Sequence, residues 1–193
     1  MTTHSDISHN HDLDLVTRFR HLADGFGAVL EDADGTGTWA AASPCEGWTA
    51  RDVVGHVIDT QRDFLTGHGV SLGEQPSLDD PVAAWRSHSA AVCAQLADPA
   101  VGDMPFDGYF GPTTVGETLM RFYGFDMVAH RWDVSVAAGR ELRFTDDELT
   151  MMESAADGFG PALYGDGVCK AGVEVSADAD RQTRLLARLG RAT

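Results

Sequence analysis

The segment TTVGETLMRFYGFDMVAHRWDVSVAAG at residues 113–139 constrains the fold most strongly, because its apolar residues recur every three or four positions. That spacing is typical of a helix with one face turned toward a core. Thr114 and Glu117 have the spacing of a capping box, which predicts that a helix starts there, and Gly139 predicts its end. We therefore expect a long helix whose buried face contains Val115, Leu119, Phe122, Tyr123, Val134 and Ala137.

Two residues on that face can ionise. Asp126 and His130 stand four positions apart, so on a helix their side chains lie one above the other and can hold one cation between them. A buried carboxylate and a buried imidazole cost free energy unless they have a partner, and a metal ion is one such partner. A buried acid–imidazole hydrogen bond or plain exposure to solvent explains the same spacing, so this motif alone does not decide between them.

The same periodicity predicts helices along the rest of the chain, and the fold class we expect is all-α. Residues 99–112 are rich in Pro and Gly and predict a long connection. Residues 160–178 predict a loop or a short strand, in which Val173 and Val175 alternate. The all-α fold can therefore include a small β-hairpin. The predicted helices cover residues 15–33, about 50–66, about 81–98, about 146–158 and 181–190.

The length of 193 residues suits one domain, which can bury a core without disulfide or metal staples. We place this single helical domain at residues 12–193. The preceding residues 1–11 are polar and include His4, His9 and His11. Because a terminus that buries no apolar surface is seldom ordered, we expect a disordered N-terminal tail there.

The charge balance limits the partners of the chain. Lys and Arg number 14 against 30 Asp and Glu, which gives a net charge of −16. Long-range repulsion therefore disfavours nucleic acids and anionic membrane surfaces, and we expect neither as a partner. The sequence has no run of 18 apolar residues, its first residues do not show the basic and then apolar pattern of a secretion signal, and its three cysteines lack a C-x-x-C spacing. We expect a cytoplasmic protein with reduced thiols.

A third candidate residue lies on the predicted second helix. His56 stands at the shoulder of the apolar stripe, and Thr60 comes next on the same edge, so His56 can point toward a neighbouring helix. A histidine in such a position is more often solvated or hydrogen-bonded than bound to a metal. Its role therefore depends on what it meets in the fold.

Three blocks of the sequence, in this order, resemble one family. SPCEGWTARDVVGHVID at 43–59 resembles the signature of the N-terminal domain of mycothiol-dependent maleylpyruvate isomerase, which belongs to the DinB-like four-helix bundles. FDMVAHRWDVSVAAGRE at 125–141 resembles the second family block, where an acidic residue and a His one turn later precede Trp-Asp. VEVSADADRQTRLLARLGR at 173–191 resembles the ending of a compact metal-binding subgroup. The resemblance implies a DinB-like four-helix bundle with extra short C-terminal helices.

The resemblance also implies a ligand set. Its members' metal ligands correspond to His56, Asp126 and His130 in this chain, although the isomerase itself has Glu at the position of Asp126. Two imidazoles and one carboxylate leave positions open on a divalent ion, as in catalytic zinc sites. We expect Zn²⁺ first, and the same trio also suits Ni²⁺, Fe²⁺ or Mn²⁺.

The activity implied by the resemblance is a thiol-dependent transfer or isomerisation of a small electrophilic substrate, with mycothiol as cosubstrate. A divalent ion lowers the pKa of a bound thiol, and the thiolate is the attacking form of sulfur. Thr60 and Tyr123, each about one turn from a ligand, are candidates for the wall of the substrate pocket. The alternative hypotheses are a non-catalytic, metal-containing protein that binds a small molecule, and a buried polar network without a metal.

Two further expectations concern Cys45 and the oligomeric state. Cys45 is an alternative nucleophile, but its place beside Pro44 in a turn favours simple packing. Related bundles are often dimers, so a homodimer is one expectation for the assembly. The apolar edge at residues 185–189 either docks on the bundle, which is the simpler interpretation, or serves in that dimer.

Overall fold

The computed structural model describes residues 14–165 and 168–191, and within them it is mostly helical, which confirms the predicted fold class. The predicted disordered tail at residues 1–11 lies outside the described residues. Among the described residues, no helix combines the length and the apolar composition needed to cross a membrane. The helices in chain order are α1 (Leu15–Asp34), α2 (Ala50–Gly67), α3 (Pro81–Leu96), α4 (Pro99–Gly102), α5 (Val115–Thr118), α6 (Gly124–Ala137), α7 (Asp146–Phe159) and α8 (Arg181–Arg188).

Side-chain caps fix where several helices begin. Thr49 accepts a hydrogen bond from the backbone N–H of Asp52, whose carboxylate accepts one from the N–H of Thr49, and this capping box starts α2. Thr145 and Glu148 make the same arrangement at α7. The side chain of Asp80 caps α3. Because each cap supplies a partner to N–H groups that a helix end leaves free, these starts are a consequence of local sequence.

The long helix predicted over residues 114–139 is interrupted. Its start at Thr114 is confirmed, since this side chain caps α5, but the backbone adopts a π-helix over Leu119–Tyr123 before it continues as α6. A π-turn closes i→i+5 hydrogen bonds, so it adds a residue and rotates the next part of the helix relative to a continuous α-helix. The interruption ends three residues before Asp126.

A small β-hairpin is present, but in the connection before α5. Strands β1 (Pro105–Gly108) and β2 (Gly111–Thr114) pair antiparallel, with Gly108 opposite Gly111. Gly111 has a φ of 102°, which a residue without a Cβ adopts at little cost. Residues 173–175 form no strand, so the strand considered for Val173 and Val175 is wrong.

Helix α6 lies between two groups of buried apolar side chains. Met127 belongs to the group formed mainly with α1, α2 and α3, and Trp132 belongs to the group formed with α7 and α8. Burial of apolar surface contributes about 25 cal/mol per Å², so packing on both sides holds this helix in place. Between the two apolar faces runs a polar stripe that consists of Asp126, His130 and Asp133.

Helix α8 docks on the second apolar group. Leu185, Leu186 and Leu189 are 3%, 1% and 2% exposed and pack in that group. The simpler interpretation of this edge is therefore confirmed, and these leucines are not free to form a dimer surface. The homodimer itself stays a prediction.

Candidate metal site

Helices α2 and α6 bring the three predicted ligands together. His56 lies on α2, and Asp126 and His130 lie one turn apart on α6. The Nε2 atom of His56 is 3.5 Å from Oδ2 of Asp126, and the Nε2 atom of His130 is 3.2 Å from Oδ1. The centroids of the two imidazole rings are 5.0 Å apart. One carboxylate thus stands between two imidazole nitrogens.

One side of this cluster faces solvent. The side chains of His56 and Asp126 are 24% and 27% exposed, whereas that of His130 is only 8% exposed. The ring of Trp48 covers part of the cluster, with its centroid 4.8 Å from that of His56. Trp48 is held there by a tight turn in which Gly47 has a φ of 80°. The imidazole of His56 and the carboxylate of Asp126 are therefore partly accessible to solvent, whereas the ring of His130 is nearly closed off.

The charges of the cluster are strongly coupled. Burial raises the pKa of Asp126, but the imidazoles of His130 and His56 outweigh this effect and hold that pKa well below its ordinary value. Burial lowers the pKa of His130, but the carboxylates of Asp126 and Asp133 outweigh it and raise that pKa well above its ordinary value. The two carboxylates thus stabilise a positive charge on the ring of His130.

Behind His130 lies a second, fully buried set of contacts. The Nδ1 atom of His130 is 2.8 Å from Oδ2 of Asp133. Arg191, which lies just after α8, donates to both oxygens of Asp133, from Nε at 2.8 Å and from Nη2 at 2.6 Å. Burial raises the pKa of Asp133, but His130 and Arg191 lower it to about 2, so this carboxylate is ionised at neutral pH.

Cys45, which is only partly buried, lies at the edge of this network. Its Sγ atom is 3.4 Å from Oδ2 of Asp133 and 3.9 Å from Nδ1 of His130. The set Cys45, His130 and Asp133 also has donor atoms close enough for one ion. Because the guanidinium of Arg191 already supplies the positive charge there, this second set is the poorer candidate for a cation.

The two predicted pocket residues differ in how they face the site. Thr60 donates its hydroxyl to the carbonyl oxygen of His56 at 2.9 Å, so its hydrogen is used within α2. The ring of Tyr123 packs on Phe64, with 5.0 Å between centroids. Burial and then the charge of Asp126 raise the pKa of Tyr123 to about 12, so this hydroxyl stays protonated at neutral pH. The pocket-lining roles of both residues stay predictions.

The donor set of His56, Asp126 and His130 fits a divalent ion. Ligand atoms around a tetrahedral Zn²⁺ with bonds of about 2.0–2.1 Å lie roughly 3.3 Å apart. The carboxylate oxygens of Asp126 are 3.5 Å and 3.2 Å from the two Nε2 atoms, and all three groups offer atoms within 4.8 Å of one another. Imidazole and carboxylate donors also suit Fe²⁺, Ni²⁺ and Mn²⁺.

Sequence reasoning missed the backing residues Asp133 and Arg191. Asp133 stands three positions after His130, so helical spacing alone could have predicted the contact between these two side chains. Arg191 is 58 positions from Asp133, and no local pattern indicates that pairing. Cys45 was expected mainly to pack, and its thiol instead lies against a buried carboxylate.

Comparison with known proteins agrees with this architecture. The sequence matches the model of the mycothiol maleylpyruvate isomerase N-terminal domain over residues 19–135, which include all three candidate ligands. Two uncharacterized Mycobacterium tuberculosis proteins, MT0763 of strain CDC 1551 / Oshkosh and Rv0738 of strain ATCC 25618 / H37Rv, are each 27% identical to it over 147 residues, which cover 75% of this chain and 78% of theirs. No solved structure gave a significant match. The chain belongs to the mycothiol maleylpyruvate isomerase N-terminal domain family, a family of DinB-like domains.

Proposed function

We propose that this chain binds one divalent metal ion, Zn²⁺ first, through His56, Asp126 and His130, and that it catalyses a mycothiol-dependent transfer or isomerisation of a small electrophile. The observation that carries the proposal is the meeting of three donor groups from two helices at a partly open position. Family membership supports mycothiol as the thiol.

The residues around the ligands would each make a definite contribution. A divalent cation, when bound, would act as a Lewis acid and lower the pKa of a coordinated thiol. Asp126 contributes the negative charge that offsets the cation, and the carboxylate of Asp133 fixes the ring of His130. Trp48 shields the two imidazoles from water on one side. The hydroxyl of Tyr123 keeps its proton at neutral pH, since burial and the charge of Asp126 raise its pKa to about 12, and it would therefore be available as a donor to the substrate.

The substrate would bind where α2 packs against the π-helix Leu119–Tyr123, which comes just before α6. Thr60 and Phe64 come after His56 along α2 at intervals of one turn, and Tyr123 packs opposite Phe64. Phe106 of the hairpin extends this aromatic wall, with its ring 6.0 Å from that of Phe64. An apolar part of a small substrate would bind against these rings, while its electrophilic atom faces the ligands.

Metal analysis tests the first part of the proposal. Protein purified without an affinity tag, whose histidines would bind metal themselves, should contain about one equivalent of a transition metal, as expected for a three-ligand site. Folded protein with less than about a tenth of an equivalent, even after incubation with Zn²⁺, would favour the buried polar network instead.

Turnover tests the second part. Wild-type protein should accelerate the reaction of mycothiol with small electrophiles, and His56→Ala should lose this by at least about 100-fold, because it removes a ligand. His21→Ala, which changes an exposed histidine on α1, is the matched control and should react like wild type. A wild-type protein that holds metal but accelerates no such reaction would indicate a non-catalytic binding protein. Equal rates for His56→Ala and wild type would contradict the enzyme proposal.

A further inference from the structure

The geometry points to Arg191 as a positioning residue for the metal site: its guanidinium holds Asp133, and Asp133 holds the ring of His130 with Nε2 toward the other ligands. This inference rests on the proposed function, and it adds to the site a residue from outside the family match at 19–135. The family match alone therefore does not contain everything that shapes the site.

The contacts leave His130 little rotational freedom. Asp133 is fully buried, and Arg191 donates to both of its oxygens, so the carboxylate cannot turn without losing a hydrogen bond. The Nδ1–H of His130 donates to Oδ2 of this fixed carboxylate at 2.8 Å, so Nε2, which faces Asp126, is the atom that would bind a metal once its proton is displaced. Outer partners of this kind orient metal-binding histidines, and their loss typically weakens metal binding by about 10–100-fold.

Arg191 reaches Asp133 because of the turn that ends α8. Gly190 has a φ of 77°, and the N–H of Arg191 donates to the carbonyl oxygen of Leu186 at 2.9 Å. A Cβ atom at position 190 would lie 2.8 Å from Cβ and 2.9 Å from the carbonyl oxygen of Lys170. A side chain at this position forces either the turn or the neighbouring backbone at Lys170 to shift, so Gly190→Ala is a way to displace Arg191 without altering it.

Three variants and a control separate positioning from general stability. Arg191→Gln removes the charge, Arg191→Lys keeps the charge but not the planar fork that spans two oxygens, and Gly190→Ala moves the intact arginine. Arg188→Gln is the control, because Arg188 lies on α8 but pairs with Asp157 on the surface. All four variants should be checked for intact helical content before use.

Zn²⁺ affinity by competition with a chelator, and the visible spectrum of the Co²⁺ form, report on the site without any activity assay. Arg191→Gln and Gly190→Ala should weaken Zn²⁺ binding by about 10–100-fold and alter the Co²⁺ spectrum. Arg191→Lys should fall between them and wild type, and Arg188→Gln should stay within about twofold of wild type. Wild-type affinity and an unchanged spectrum in both Arg191 variants would overturn the inference.

A metal-independent measurement keeps the two proposals distinguishable. In metal-free wild type and in Arg188→Gln, the NMR signal of the His130 Nδ1–H should be protected from exchange with water. In Arg191→Gln, or in Arg191→Lys if the Gln variant does not fold, it should exchange at least about tenfold faster. If wild type binds no Zn²⁺ but this acceleration occurs, the proposed function fails while the hold of Arg191 on His130 stands. Unchanged protection in the folded variants contradicts the inference whatever the metal result.

Discussion

Two histidines in the described part of the chain are buried, and their surroundings differ in charge. His88 on α3 is 1% exposed, and its Nε2 lies 3.0 Å from the amide oxygen of Gln61. Burial, and then the charge of Arg62, lower the pKa of His88 to about 4, so the ring is neutral at pH 7. His130 is also buried, and it lies between the carboxylates of Asp126 and Asp133, which raise its pKa.

The two sites differ in what their burial costs: one buries a neutral ring, and the other buries several charges. The neutral ring of His88 adds no buried charge, but its Nδ1 and the Nε2 of Gln61 are buried without a hydrogen-bond partner in the described structure, a cost that packing must offset. At His130, the ring and two carboxylates must all give up their hydration when the chain folds. The attraction between them offsets this cost only in part, so the cluster adds little to the stability of the fold. The buried charges around His130 therefore require a functional explanation, whereas His88 and Gln61 form a neutral pair without such charges.

The sharpest way to break this comparison is to make the same substitution at both histidines. His130→Gln should reduce bound Zn²⁺ from about one equivalent to less than about a tenth, since it removes a ligand. His88→Gln retains a hydrogen-bonding side chain opposite Gln61 and should keep the wild-type metal content. Metal analysis after equilibration with Zn²⁺ compares the two. Equal metal contents in the two variants would remove the distinction between the histidines.

The carboxylate between the rings gives the next largest effect. Asp126→Asn keeps the shape but loses the charge, so Zn²⁺ affinity should fall by at least about 100-fold. Asp126→Glu keeps the charge on a longer side chain and should stay within about tenfold of wild type. Chelator competition measures both. An Asn variant that binds as tightly as wild type would mean that the charge of Asp126 has no part in holding the ion.

Helical spacing could predict the meeting of two of the three candidate ligands. Asp126 and His130 are four positions apart, so their meeting is a local property of α6. Only the family resemblance predicted His56 as a ligand. Periodicity places His56 on one face of α2 but does not indicate which helix that face contacts. Asp133 and Arg191 meet only after α8 has docked, and such a contact depends on packing between distant segments.

The backbone shows the same division between local and distant information. The helix starts at Thr49 and Thr145 were predictable, because a cap and its partner lie within one turn. The π-helix at Leu119–Tyr123 has no comparable pattern in the sequence. The hairpin of residues 105–114 has strands of only four residues, too short for an alternating pattern to stand out.

The His88 region has its own test, which uses pH. The unfolded chain protonates His88 below its ordinary pKa of 6.5, whereas the folded chain resists protonation down to about 4. The unfolded state therefore binds more protons in this window, and His88 lowers the free energy of unfolding as the pH falls from 6.5 to about 4. Between pH 7 and pH 5 this loss should be about 2 kcal/mol.

Urea unfolding of wild type and His88→Gln at both pH values isolates that contribution. The variant should lose less stability than wild type on acidification, by about 2 kcal/mol. His21→Gln, at an exposed position on α1, should behave like wild type. If His88→Gln and wild type lose the same stability between pH 7 and pH 5, His88 is not a buried ring held neutral by the fold.

The smallest effect concerns α2, which carries one residue of each region, His56 and Gln61. Thr49→Ala removes the side-chain cap at the start of this helix and should lower the free energy of unfolding by about 1 kcal/mol. Thr66→Ala changes an exposed threonine near the end of α2 and should change stability by no more than about 0.5 kcal/mol. Because Thr49 is a cap rather than a ligand, Zn²⁺ affinity should stay within about twofold of wild type. A tenfold loss of affinity would instead show that the cap, and not packing against α6, sets the position of His56.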